Sequence, residues 1–302
     1  MLELSPPRGL GERLLALRRL PLLSRLPAGE LTQLARLSRD RDFPPGAELA
    51  VEGRPVLAAQ IFVSGRVDLW RAARLVRAGQ PFEVLDLPAV AARLPHPFTV
   101  RAAEPVHTLE VDAGLVAEVL EDDFRLFLEV LRVAARAAPA GGTLGGRRTR
   151  ASGGGASPRR PPAPPLDAAA RLVALRDVDL FRRAPVDGLA ALARRLRVAS
   201  LAPGDPVVLS DCGELTVVVE GQVTLPAPAG AQARAVEAVG AGAVLGLREA
   251  LAGEPALAGA RAASSVVLLR APLVDLLDVL DDHHGTARRL MAELMMTAVA
   301  AP

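Results

Sequence analysis

From Phe43 to Trp70 the apolar positions come in short bursts separated by turn residues. Pro44-Pro45-Gly46 makes the first turn, because proline fixes φ and glycine accepts φ > 0. Glu48 to Val51 then reads as a short strand, and Glu52-Gly53-Arg54-Pro55 as a second turn. Gln60-Ile61-Phe62-Val63 is a strand rich in β-branched and aromatic residues. Ser64-Gly65 is a third turn, and Arg66 to Trp70 alternates polar and apolar with the period of a half-buried strand. Strands this short and turns this frequent predict a small antiparallel barrel or sandwich.

The pattern comes twice. In Leu201 to Leu225, Pro203-Gly204-Asp205 answers Pro45-Gly46-Ala47, Leu215 to Val219 answers Gln60 to Val63, and Glu220-Gly221-Gln222-Val223 answers Ser64-Gly65-Arg66-Val67. The interval from Gly204 to Gly221 is two residues shorter than that from Gly46 to Gly65, which a shortened turn at Asp211-Cys212-Gly213 accommodates. Around each copy the period turns helical. Leu26, Leu31, Leu34 and Leu37 line one side of a helical lead-in at 23–38. Before the second copy come a helix capped by Asp167 and a helix from Asp187 to Val198 with Asp187 as its cap. Residues 98–111 read as strands on both sides of Glu104-Pro105, followed by helix to Ala138. The second copy closes with helices at 272–280 and 286–299.

Both copies resemble the β-roll of cyclic-nucleotide-binding domains, the fold of the cAMP receptor protein and of protein kinase A regulatory subunits. The resemblance implies an α+β, mainly β chain of two tandem jelly-roll-type β-rolls, each flanked by helices. The expected division is a first domain at 1–138, a flexible Gly/Pro/Arg linker at 139–165 and a second domain at 166–302. In that family a cassette reading Phe-Gly-Glu-Leu-Ala and then Pro-Arg-Ser/Ala-Ala-Thr places the cyclic phosphate on a short helix N-terminus. The Glu holds the ribose hydroxyl, and the Arg pairs with the phosphate through charge-assisted hydrogen bonds. Aligned backward from Thr99-Val100-Arg101, the first copy puts Asp86-Leu87 at Glu-Leu, Leu85 at the Gly and His96 at the Arg. The second keeps Gly246 but has Leu247 at the Glu, Ala256 at the Arg and Gly259 at the Thr, with Arg248 and Arg261 nearby but off register. The resemblance thus implies vestigial ligand sites at Asp86, Leu87, His96, Thr99 and Arg101, and at Gly246, Leu247, Arg248 and Ala256.

Composition narrows the chemistry. At 302 residues, half of them hydrophobic, the chain holds two ordinary cores. It has no Lys, Asn or Tyr and one Ile, a bias that looks genomic and accounts for the many arginines without nucleic-acid chemistry. The net charge of +2 is small, although the linker holds Arg147, Arg148, Arg150, Arg159 and Arg160 and no acid. One cysteine, Cys212, excludes an intrachain disulfide. No stretch approaches the roughly 18 apolar residues of a membrane helix, and no signal peptide is read at the start, so the expected location is the cytoplasm. His96, His107, His283 and His284 form no metal-ligand spacing, and no nucleophile elbow or phosphate loop accompanies a strand-to-helix step. The reading is a non-enzymatic regulatory or scaffolding protein with little or no cAMP or cGMP binding, no metal and no cofactor. It acts through an unknown protein partner or its own oligomer. Two alternatives stay open: a cyclic-nucleotide or other small-molecule sensor using the first domain, and a relative of transcription regulators lacking their DNA-binding module. Too few residues follow Leu269 for that module, so specific DNA binding is not expected.

Overall fold

A computed structural model describes residues 9–20, 23, 26–79, 81, 83–139, 143–144, 148–150, 166–209, 213–226, 237–255 and 258–300. The chain divides into two compact units, Met1–Val130 and Leu131–Pro302.

Unit 1 opens with helices α1 (Leu10–Arg18) and α2 (Ala28–Leu37). Strands β1 (Arg39–Phe43), β2 (Glu48–Ala50), β3 (Ala58–Ser64), β4 (Val67–Arg71), β5 (Arg74–Gly79) and β6 (Val84–Leu85) follow. Next come the short helix α3 (Leu87–Ala92), strands β7 (Thr99–Ala102) and β8 (Val106–Asp112), helix α4 (Ala113–Asp122) and helix α5 (Phe124–Ala137), whose second half, from Leu131, belongs to unit 2. The strands form two antiparallel four-stranded sheets, ordered β1-β8-β3-β6 and β2-β7-β4-β5. Alternation in β3 explains the layers. Phe62 faces inward with Leu49, Leu69, Leu85, Val100 and Val106, filling the roll. Ile61 faces outward with Leu109 and Val111, against Leu17, Leu20 and Leu31 of the helical layer. A tight turn at Ala72-Ala73 joins β4 to β5, and both residues take positive φ, 44° and 62°.

Unit 2 repeats the plan. Strand β9 (Arg148–Arg150) precedes helices α6 (Ala168–Asp177) and α7 (Val186–Arg195). Strands β10 (Arg197–Leu201), β11 (Glu214–Glu220), β12 (Val223–Leu225), β13 (Glu237–Val239) and β14 (Val244–Leu245) lead to the short helix α8 (Leu247–Ala252). Strands β15 (Arg261–Ala262) and β16 (Val266–Pro272) and helices α9 (Leu273–Asp282) and α10 (His284–Ala300) complete it. The sheets are β10-β16-β11-β14 and β15-β12-β13-β9. Among the described residues, the roll interior holds the buried aliphatic side chains of Val207, Leu209, Val218, Val223, Leu245 and Leu268.

Three local expectations change. Asp167 caps α6, accepting from Ala170 N at 2.8 Å, but Asp187 lies in the first turn of α7, whose cap is Pro185. The span 139–165, expected as a linker unable to join a core, is partly built into unit 2. Leu144 is buried and bridges Val244, and β9 pairs antiparallel with β13. An isolated Leu among glycines carries no periodic signal, and Arg-Thr-Arg reads as charge rather than as strand, so only the pairing partner reveals either. Asp211 and Cys212 of the expected shortened turn lie outside the described residues, while Gly213 takes φ 82°.

Candidate functional site: two altered cassettes

The strand-to-helix step that would form a ligand cassette occurs once per unit, and strand register aligns the two steps. Gln60 of β3 pairs with Leu85, and Thr216 of β11 pairs with Leu245. Asp86 is therefore the counterpart of Gly246, and both take left-handed backbone ahead of a short helix, φ 56° and 71°. The chain must leave the strand through that conformation, which glycine adopts freely and Asp tolerates better than most residues. The register expected from sequence, with Leu85 at the glycine and Asp86 at the acceptor, thus moves by one. Leu87 is the counterpart of Leu247, so an aliphatic side chain follows the left-handed residue in both units.

In unit 1, Leu87 lines a small apolar cavity of about 50 Å³ with Leu23, Leu26, Ile61, Val84 and Leu120. Pro88 follows it and has no N–H, so one first-turn amide that an anion would use is missing. The structure brings Asp86 and His96 together. The nearly buried Asp86 carboxylate accepts from His96 Nδ1, so the two polar members of the expected cassette satisfy each other. His96 is fixed further by its backbone, which donates to Arg54 O at 2.9 Å and accepts from Gly53 N at 2.9 Å. Thr99 Oγ1 accepts from Glu52 N at 3.1 Å. Arg101 donates to Glu48 at 2.9 Å on an exposed strand face. Arg93, also left-handed, pairs with Glu121 at 2.7 Å. A cleft of about 250 Å³ remains beside His96, lined also by Glu48, Arg54, Gln60 and Glu110.

Unit 2 is altered differently. A Cβ built on Gly246 would lie 3.0 Å from Leu209 Cδ1, so an aliphatic side chain covers the start of α8. Leu247 is fully buried. Arg248 is buried too, and its role is internal. Its Nε donates to Ala135 O and Ala138 O at 3.0 and 3.1 Å, and both Nη atoms donate to the Glu254 carboxylate. Arg261 donates to Gly204 O at 3.0 Å. Ala256 lies outside the described residues. Sequence reasoning missed the Arg248 cluster because its carbonyl partners lie far away in the chain. The one local sign was Glu254, within side-chain reach past the end of a six-residue helix.

No family model matches the chain, and no curated protein matches it. Solved structures do. The chain is similar to the regulatory domain of Toxoplasma gondii PKA crystallised with cAMP, at 15% identity over 95% of this chain and 97% of that one, TM-score 0.34. It is also similar to the regulatory subunit of a cAMP-independent protein kinase A from Trypanosoma cruzi bound to guanosine, at 15% identity over 93% and 91%, TM-score 0.36. The sensor domain of the transcriptional regulator DNR from Pseudomonas aeruginosa is similar over 40% of this chain and 85% of its own, at 19% identity and TM-score 0.38. At these identities and scores, what the chain does has to be argued from its own residues.

Proposed function

We propose that this chain is a non-enzymatic regulatory or scaffolding protein built on two tandem β-rolls of the cyclic-nucleotide-binding type, acting through protein contacts and holding little or no cAMP or cGMP. The observation that carries the reading is the closed Asp86–His96 pair in unit 1, beside an aliphatic residue at the acceptor position. A nucleotide would have to break that pair and would find no guanidinium fork at His96. In unit 2, Leu209 over Gly246 and the commitment of Arg248 to backbone carbonyls support the same reading. Each missing charged hydrogen bond is worth about 1.5–3 kcal/mol, or about one to two decades in affinity.

The test is repair. The structural register selects Asp86→Gly, Leu87→Glu and His96→Arg together, and titration calorimetry of that variant with cAMP should show affinity at least about tenfold above the unmodified chain. Cyclic-nucleotide binding by the unmodified chain as tight as by the repaired one would overturn the reading. The cleft beside His96 favours one second reading, a small-molecule sensor confined to unit 1. That reading requires a ligand whose binding is lost in His96→Ala. For domain organisation, we propose that the two halves fold separately. Limited trypsin treatment within 139–165 should leave two stable fragments, and rapid loss of both would contradict it.

A further inference from the structure

The two units differ at one sheet edge. In unit 2 the outer edge of β13 is covered by β9, with Arg148 opposite Val239, Thr149 opposite Ala238 and Arg150 opposite Glu237. The counterpart of β13 in unit 1 is β5. Val67 pairs with Gly79 as Val223 pairs with Val239, Asp68 with Ala78 as Thr224 with Ala238, and Leu69 with Arg77 as Leu225 with Glu237. Among the described residues β5 pairs with β4 alone. Arg74 to Ala78 are all exposed, and Leu75 and Val76 are half exposed at 50% and 52%. β5 therefore presents a longer strand than β13, with its outer N–H and C=O groups unpaired by any described strand.

We propose that this edge of β5 is a docking site that adds an extended, acidic segment of a partner protein as a further strand. Backbone pairing at an open edge supplies affinity without regard to sequence, and side chains at alternate positions supply selectivity. The charge argument comes from the repeat. Glu237 in the covered edge stands opposite an arginine, and its counterpart in the open edge is Arg77, so the sign of the occupant reverses. Arg77 is half exposed and meets Glu83 at 3.0 Å, an exposed pair of little net worth that leaves other guanidinium donors for a second carboxylate. Arg74 adds a second positive position on the same strand. The same arithmetic disfavours two other occupants. A second copy of β5 would bring arginines against arginines, and a copy of the Arg-Thr-Arg strand would do likewise, an arrangement that destabilises cross-strand pairs.

The experiment uses the full chain and two acetylated, amidated hexapeptides, Val-Glu-Val-Thr-Val-Glu and Val-Lys-Val-Thr-Val-Lys, with hydrogen exchange of the β5 amides as readout. At millimolar concentration the acidic peptide should slow β5 exchange about tenfold, and the basic peptide should not. Arg77→Glu with Arg74→Glu should reverse the preference. The proposal is overturned if neither peptide protects β5, if both protect it equally, or if the charge reversal leaves the preference unchanged. It is also overturned if β5 is already protected without peptide in step with dimer formation, which would make the occupant a second copy. None of these outcomes depends on whether a nucleotide binds, so the proposal and the functional reading fail separately.

Discussion

Gly221→Ala should destabilise unit 2 by more than about 3 kcal/mol, far beyond what its φ alone would cost. The residue sits at φ 85°, where a Cβ costs roughly 1–2 kcal/mol. A Cβ there would also lie 2.1 Å from Ser265 O, a backbone atom that cannot swing aside. The 263–265 segment must then move, and it is held by Ala263 N donating to Gln222 O at 2.8 Å and by Ser264 Oγ accepting from Gln222 N at 3.0 Å. Gly65→Ala should behave the same way in unit 1, with its Cβ 2.4 Å from Pro105 O. Gly204→Ala is the control. Its φ is 89°, but nothing lies within 4 Å of the built Cβ, so its loss should be the backbone term alone. Urea unfolding of the full chain followed by circular dichroism separates these cases. Equal losses for Gly221→Ala and Gly204→Ala would show that the close approach has no energetic weight.

Arg248→Leu should cost about 3–5 kcal/mol and loosen two places at once. Removing one partner of a buried charged network leaves the rest desolvated without donors. The orphaned groups would be the carbonyls of Ala135 and Ala138 at the end of α5 and the Glu254 carboxylate, which is partly exposed and sets the lower end of the range. Arg248→Lys should recover little, because an ammonium cannot span two carbonyls and a carboxylate with one planar fork. Faster hydrogen exchange in both α8 and residues 135–138 is the expected signature. Arg101→Leu, which breaks only an exposed pair with Glu48, should stay within about 1 kcal/mol. Similar losses for Arg248→Leu and Arg101→Leu would deny the clamp its structural role.

The β-rolls were legible in the sequence because their markers are local. Gly46, Gly65, Gly204 and Gly221 all take positive φ at the expected turns, and alternation along β3 and β11 sorts roll interior from helix-facing side. The strand-to-helix steps were legible only to within one residue. The position that must be left-handed is occupied by Gly246 in one unit and by Asp86 in the other, and an aspartate there looks like an acceptor rather than a backbone device. The pairing of Asp86 with His96 could be placed but not foreseen, since both were expected to face a ligand rather than each other. The internal role of Arg248, expected beside a ligand, was hidden for a different reason: its hydrogen bonds reach carbonyls more than a hundred residues earlier, and a backbone oxygen has no identity in a sequence.

These residues make one demand on solution behaviour. Under the proposed function, the closed Asp86–His96 pair, Leu87 and Leu247, and Leu209 over the start of α8 leave a cyclic phosphate without its two charged anchors. Titration calorimetry of the unmodified full chain with cAMP and with cGMP tests this most directly. No saturable heat is expected at ligand concentrations of about 100 μM, since the two lost anchors together remove roughly two to four decades of affinity. Saturable binding of either nucleotide at low micromolar concentration, abolished by His96→Ala, would contradict it.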